Sequence, residues 1–258
     1  MSQGQPSNKM VTAFIKRQVN RTMQNLKRAE KLVALYQSQY RPSQARHFAY
    51  ETDLLRAAVV FTHASLEDFM RSVLRAFLPW ADEGGLENVP LAGTQGRAQK
   101  FPLGELAKHR NKTVQELLQQ SVDEYLERSS YNSPNEILRV LAAIKIDLRA
   151  FDPILRELGA MIKRRHAIVH RADTAEIKGK RHLKPTPLEP KTVQKWIQAT
   201  STFVLLVFGR LPVTRFKRTG SKPATAPDPA AEPANNRPAR HSTNLTHHPS
   251  DADASRDS

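Results

Sequence analysis

Ile162-Lys163-Arg164-Arg165-His166-Ala167-Ile168-Val169-His170-Arg171 places four cationic side chains and two imidazoles within ten residues. Leu155, Leu158, Met161, Ile162, Ile168 and Val169 recur at helical spacing through and before it, which predicts a helix over Ala150–Val169 with one buried side. Pro153 suits the first turn, where no amide donor is required. The basic cluster then sits at the C-terminal end of a half-buried helix. Cations are favoured there by the helix dipole, but crowded like charges cost free energy unless an anion offsets them. The stretch is therefore a site candidate as well as a solvated helix end.

Working outward, every strong signal is helical. Val11, Phe14, Ile15, Val19, Met23, Leu26, Leu32, Val33 and Tyr36 predict one long helix over Lys9–Tyr40. Arg41-Pro42-Ser43 breaks it, with Ser43 as a cap for a second long helix, Gln44–Leu78. The centre of that helix, Leu54 to Phe61, is apolar nearly all round and belongs in a bundle core. Trp80–Pro102 reads as a loop with Gly84, Gly85, Gly93 and Gly96, and it lacks the Gly-Lys-Ser/Thr ending of a phosphate loop. Leu103–Arg110 and Thr113–Arg128 read as shorter helices. Asn132-Ser133-Pro134-Asn135-Glu136 is a helix start, followed by apolar positions from Ile137 through Leu148. A basic connection runs from Asp173 to Pro190, either a solvated loop or a phosphate contact, and Lys191–Leu211 is the closing helix. No strand pattern stands out. The reading is an all-α helical bundle over 9–212 with a variable insertion. A Pro/Ala/Ser-rich tail over 213–258 is too poor in apolar side chains to offset its ordering entropy and is expected to be disordered.

Composition narrows the partners. Lys and Arg number 40 against 25 Asp and Glu, a net charge of +15. Seven basic and five acidic residues follow Val213, leaving 33 against 20 in the rest, so the excess belongs to the helical part. A polyanion partner is the natural counterpart. There is no cysteine, which excludes disulfides, thiolate nucleophiles and cysteine-ligated zinc. No apolar run approaches the ~18 residues of a membrane span. No acidic residue precedes Glu30, a composition shared with organellar transit peptides, but the periodicity assigns these residues to the first helix of the domain. A cytoplasmic protein without a cofactor is expected.

Three chemistries can use the motif. His166 and His170 lie about 40° apart on a helical wheel and could face one metal ion, with Asp173 or His182 as a third ligand, although Arg164, Arg165 and Arg171 would repel a cation. A structural reading pairs the arginines with Glu157 or Asp173. The third is RNA cleavage without a metal, in which RNA supplies its own 2′-hydroxyl nucleophile. The protein must then move protons, for which histidine is suited, and stabilise charge on phosphorus, for which arginine is suited.

The spacing Arg165-His166-Ala167-Ile168-Val169-His170 resembles the signature of HEPN-domain proteins, an arginine, four to six residues, then a histidine. Leu66-Glu67-Asp68-Phe69-Met70-Arg71 is similar to the Glu, three residues, Lys/Arg motif that these domains carry on an earlier helix. The order of elements agrees over Lys9 to Leu211, and the chain looks closest to the RiboL-PSP-HEPN branch. The resemblance implies a metal-independent endoribonuclease, often a toxin or anti-phage effector paired with an antitoxin protein. It also implies a homodimer whose two motif helices meet at a composite site. On that resemblance Arg165 and His170 are catalytic and His166 is auxiliary, in place of the more usual Asn or Asp. Glu67 is a second auxiliary residue that orients Arg165. Arg71, Arg164 and Arg171 are candidate RNA contacts. Some members bind RNA or nucleotides, or partner a toxin, without cleaving.

Overall fold

The computed structural model describes residues 6–39, 52–94, 103–171, 173–175 and 184–212. All of these belong to the compact unit Met1–Arg218. The expectations for the tail 213–258, for the Ser43 cap and for His182 lie outside the described residues.

Two long helices form the scaffold. α1 (Asn8–Gln39) buries Val11, Ile15, Val19, Leu26 and Val33 along one stripe. α2 (Asp53–Phe77) buries Leu55, Val59, Leu66, Phe69 and Val73; of its apolar centre Leu55, Ala58 and Val59 are buried as expected, whereas Leu54 and Val60 are only partly buried and Phe61 is 39% exposed. α1 packs lengthwise on α2, and the closing helix α8 (Pro190–Arg210) packs on both through Val193, Ile197, Phe203, Val204 and Val207. α7 (Asp152–Arg171) lies on α2 and α8 through Leu158, Met161 and Ile162. The motif helix thus begins two residues after and ends two residues beyond the predicted Ala150–Val169, with Pro153 in its first turn. The architecture is the expected all-α bundle.

The described part of the insertion, through residue 94, holds regular turns. Leu78–Trp80 is a 3₁₀ turn, and Asp82 caps the one-turn α3 (Glu83–Leu86) by accepting from Gly85 N at 3.1 Å. Gly85 is required there, because a Cβ would stand 2.5 Å from Ala143 O. α4 covers only Leu103–Ala107 of the expected Leu103–Arg110. α5 (Val114–Arg128) starts with a full capping box, in which Thr113 Oγ1 accepts from Glu116 N and the Glu116 carboxylate accepts from Thr113 N.

α6 (Pro134–Ala143) begins at the predicted Ser133 cap but stops before the expected Leu148. Lys145 adopts φ 62°, its N–H reaches Ala142 O at 2.8 Å, and Ile146 N–H reaches Leu141 O at 3.1 Å. That is a Schellman termination, here built on lysine rather than the usual glycine, so no glycine marked it in the sequence. An unexpected two-residue antiparallel ladder follows α7. Its strands are β1 (Thr174–Ala175) and β2 (Lys184–Pro185), with Thr174 opposite Pro185. Two residues are too short for any alternation to be read.

Candidate functional site

Three elements meet around the motif: the C-terminal half of α7, the middle of α2, and the segment joining α5 to α6. On a helical wheel Arg165 lies within the arc of Leu158, Met161 and Ile162, which face the bundle. His166 and His170 are turned about 100° and 140° from it. Arg165 is accordingly half-buried toward α2, whereas His166 and His170 are exposed. The two imidazoles stand side by side, with ring centroids 4.4 Å apart and planes inclined by 42°. Val169, between them in sequence, projects past the end of the buried stripe and is 49% exposed.

On α2, His63, Glu67 and Arg71 follow one another at one-turn intervals. His63 is buried, and its Nε2 lies 3.3 Å from Tyr131 O. Only an N–H can bond a carbonyl, so Nε2 carries a hydrogen, and Nδ1 lies 4.0 Å from Glu67 Oε1. Burial holds the His63 pKa below the ordinary histidine value. The Glu67 carboxylate and the Tyr131 carbonyl oppose that shift, while the Arg165 and Arg71 guanidiniums reinforce it. The Arg165 charge is thus felt at His63. Burial also raises the Tyr131 phenol above its ordinary value, and its hydroxyl has no hydrogen-bond partner among the described residues.

On α2, Glu67 and Arg71 face each other one turn apart. Glu67 is divided between His63 and Arg71 Nη1, the latter 3.9 Å away, and forms no ion pair with Arg165 within the protomer among the described residues. Arg71 donates from Nε to Leu126 O (3.3 Å) and from Nη2 to Ser129 O (2.9 Å), tying down the C-terminus of α5. It also lies against the Tyr131 ring, 5.9 Å from its centroid. Two of its nitrogens are thus committed to the fold rather than to RNA.

Arg164, a candidate RNA contact, has partners within the fold. Its Nη2 donates to Asp173 Oδ2 and to Thr186 O, each at 2.7 Å, and its side chain is only 15% exposed. Asp173 is 1% exposed and also accepts from Arg56 Nε at 2.8 Å. Arg56 further bonds the Thr52 hydroxyl and, at 3.2 Å, Asp53 Oδ1. Asp173 itself sits at φ 55°, its N–H donating to Ala167 O at 3.0 Å and its carbonyl accepting from Thr186 N at 2.9 Å. This buried clamp joins the end of α7 to the start of α2 and to the strap after β2. Arg56 carried no motif in the sequence. The one hint was the alternative pairing of a motif arginine with Asp173. Arg171 is exposed at the last position of α7.

In that clamp Asp173 Oδ2 is taken by Arg56 and Arg164, and the carboxylate is buried whereas His166 and His170 are exposed. Among the described residues no group of three or more His, Cys, Asp or Glu is placed to hold a metal ion. No described helix is long and apolar enough to cross a membrane. A groove of about 1610 Å³ is lined by Met10, Phe14, Trp80, Gln119 and Asp123 among others and contains none of the motif residues.

The family model described as RiboL-PSP-HEPN matches residues 24–205, well over half of the chain, and the matched span includes Glu67, Arg71, Arg165 and His170. No curated protein and no solved structure matches the chain.

Proposed function

The chain belongs to the RiboL-PSP-HEPN family, and from that premise we propose that it is a metal-independent endoribonuclease acting as a homodimer. The observation that carries this reading is the placement of Arg165 and His170 at the exit of α7. Both stand at the end of the bundle and outside the buried clamp that occupies Arg164. In the reaction, an imidazole removes the 2′-hydroxyl proton of RNA and O2′ forms a bond to the adjacent phosphorus. The bond from phosphorus to O5′ breaks, and O5′ takes up a proton. The products are a 2′,3′-cyclic phosphate and a 5′-hydroxyl. His170 is assigned the proton transfer and Arg165 the charge on the phosphorane oxygens, with His166 beside His170 as a donor to the same phosphate.

The dimer is supported by the same geometry. Within one protomer Arg165 and His170 point about 140° apart, so one copy presents them poorly to one phosphate. A second copy related by a two-fold axis through α7 would bring two arginines and two histidines to a shared cleft, and it would cover Val169. The divergence also favours the alternative reading if the chain is monomeric, namely an RNA-binding or toxin-partner module without cleavage. Cleavage of total RNA by the purified chain, compared with Arg165→Ala and His170→Ala, decides between them. Each substitution is expected to lower the rate ~10²–10³-fold, whereas undiminished cleavage by His170→Ala would place the chemistry elsewhere. Growth arrest on expression, relieved by His170→Ala and by a neighbouring antitoxin, is the corresponding test of a toxin or anti-phage role in the cytoplasm.

A further inference from the structure

We infer that the exposed face of α1 is a second RNA-binding surface, a ridge that grips the phosphate backbone away from the motif. This rests on RNA being the substrate class, as proposed above.

The ridge consists of Lys9, Lys16, Arg17, Arg21, Lys27, Arg28 and Lys31, every one exposed. Arg21 pairs with Asp68 at 2.5 Å, and Arg28 lies over the Phe61 ring at 5.1 Å, both on the flank of α2 that borders α1. The other five form no ion pair among the described residues. On the helical wheel those five fall within an arc of about 100°, and Lys9 to Lys31 extends about 33 Å along the axis. A helix face that serves only solubility interleaves acids with bases at i, i+4. Here Arg17 and Arg21, and Lys27 and Lys31, are like charges at that spacing, and no acid occurs in α1 before Glu30. Lys9 stands in the first turn, where the helix dipole disfavours a cation. The arrangement opposes helix stability unless a polyanion neutralises it.

A membrane surface is the weaker partner. An interfacial helix needs a free apolar face, and that of α1 is occupied by α2 and α8. The phosphate backbone of single-stranded RNA follows a track of cations. The family match begins at residue 24, so Lys9, Lys16, Arg17 and Arg21 belong to this chain beyond the matched segment.

The test is direct binding in the full chain carrying His170→Ala, so that cleavage plays no part. The ridge variant is Lys16→Gln, Arg17→Gln, Lys27→Gln and Lys31→Gln. A control removes the same charge elsewhere, with Lys108→Gln, Arg110→Gln, Arg128→Gln and Arg149→Gln. Fluorescence anisotropy with a single-stranded RNA of about 20 nucleotides is followed from about 50 to 200 mM salt. Neutralising four contacts should reduce the slope of log affinity against log salt by about 3 and weaken binding roughly 10- to 100-fold near 0.15 M salt. The control should change affinity no more than about threefold. Equal losses in the two variants would reduce the effect to net charge and overturn the inference. So would unchanged RNA binding accompanied by ridge-dependent binding to phosphatidylcholine–phosphatidylserine vesicles. Because binding is read without turnover, a chain that binds through the ridge but cleaves nothing defeats the nuclease reading alone.

Discussion

Replacing Asp173 removes the carboxylate that Arg56 and Arg164 share inside the protein. The two guanidiniums are 10% and 15% exposed, so water can compensate little of the loss. Breaking a buried ion pair from one side costs about 3–5 kcal/mol. Arg56 keeps Asp53, and Arg164 keeps the Thr186 carbonyl, so the low end, about 3 kcal/mol, is expected here. The backbone adds a second cost. At φ 55° an alanine is strained by roughly 1–2 kcal/mol, whereas glycine is not. Asp173→Ala should therefore destabilise by about 4 kcal/mol and Asp173→Gly by about 3 kcal/mol. Asp173→Asn keeps an oxygen acceptor and tolerates the left-handed conformation, so it should cost least, about 2 kcal/mol. Urea unfolding reads these as a lowered midpoint with an unchanged slope, and thermal unfolding as a fall of roughly 6–12 °C for 3 kcal/mol. If Asp173→Gly lies within about 1 kcal/mol of the parent, the carboxylate contributes nothing and the clamp is misread.

Gly85→Ala should destabilise by about 1–3 kcal/mol, because the new methyl meets Ala143 O at 2.5 Å and Ala81 Cβ at 2.7 Å; a melting temperature equal to the parent's would show that α3 yields freely. His63 has a depressed pKa in the fold, so its contribution is present above the ordinary value of 6.5 and is lost as pH falls below it. The urea midpoint should consequently drop more steeply as pH falls below 6.5 in the parent than in His63→Gln, where the glutamine can still donate to Tyr131 O. Parallel curves would rule out the buried imidazole as the cause. Light scattering should return twice the 29.1 kDa chain mass, and a monomer that retains activity would remove the composite site.

The long helices were legible because α1, α2, α7 and α8 each bury a stripe at helical spacing, and the Ser133 cap with Pro134 and Glu136 is a strong local signal. Where the sequence reading overran, the cause was backbone geometry rather than hydrophobic pattern. Lys145 in the left-handed region ends α6, and lysine carries no mark of that conformation. The candidate site was legible as a spacing and not as a set of contacts. Arg165 and His170 could be picked out by their distance in sequence, but nothing there separates Arg164, held by Asp173, from its neighbour Arg165. The partners that decide this, Arg56 and the Thr186 carbonyl, lie more than 20 residues away in the chain, as do Tyr131 and Leu126 from the α2 residues they bind. Such pairings follow from packing α2 against α7 and α5 and have no local signature.

The most direct test of the proposed chemistry is the structure of the RNA ends left by the purified chain, with EDTA present throughout. A matched RNA that carries a single 2′-deoxy substitution at the mapped cleavage position serves as the second substrate. Attack by the substrate's own hydroxyl predicts a 2′,3′-cyclic phosphate and a 5′-hydroxyl at each cut, unaffected by EDTA, and no cleavage at the 2′-deoxy position. A 3′-hydroxyl with a 5′-phosphate, activity lost to EDTA and restored by zinc or manganese, or cutting at the 2′-deoxy position would contradict it.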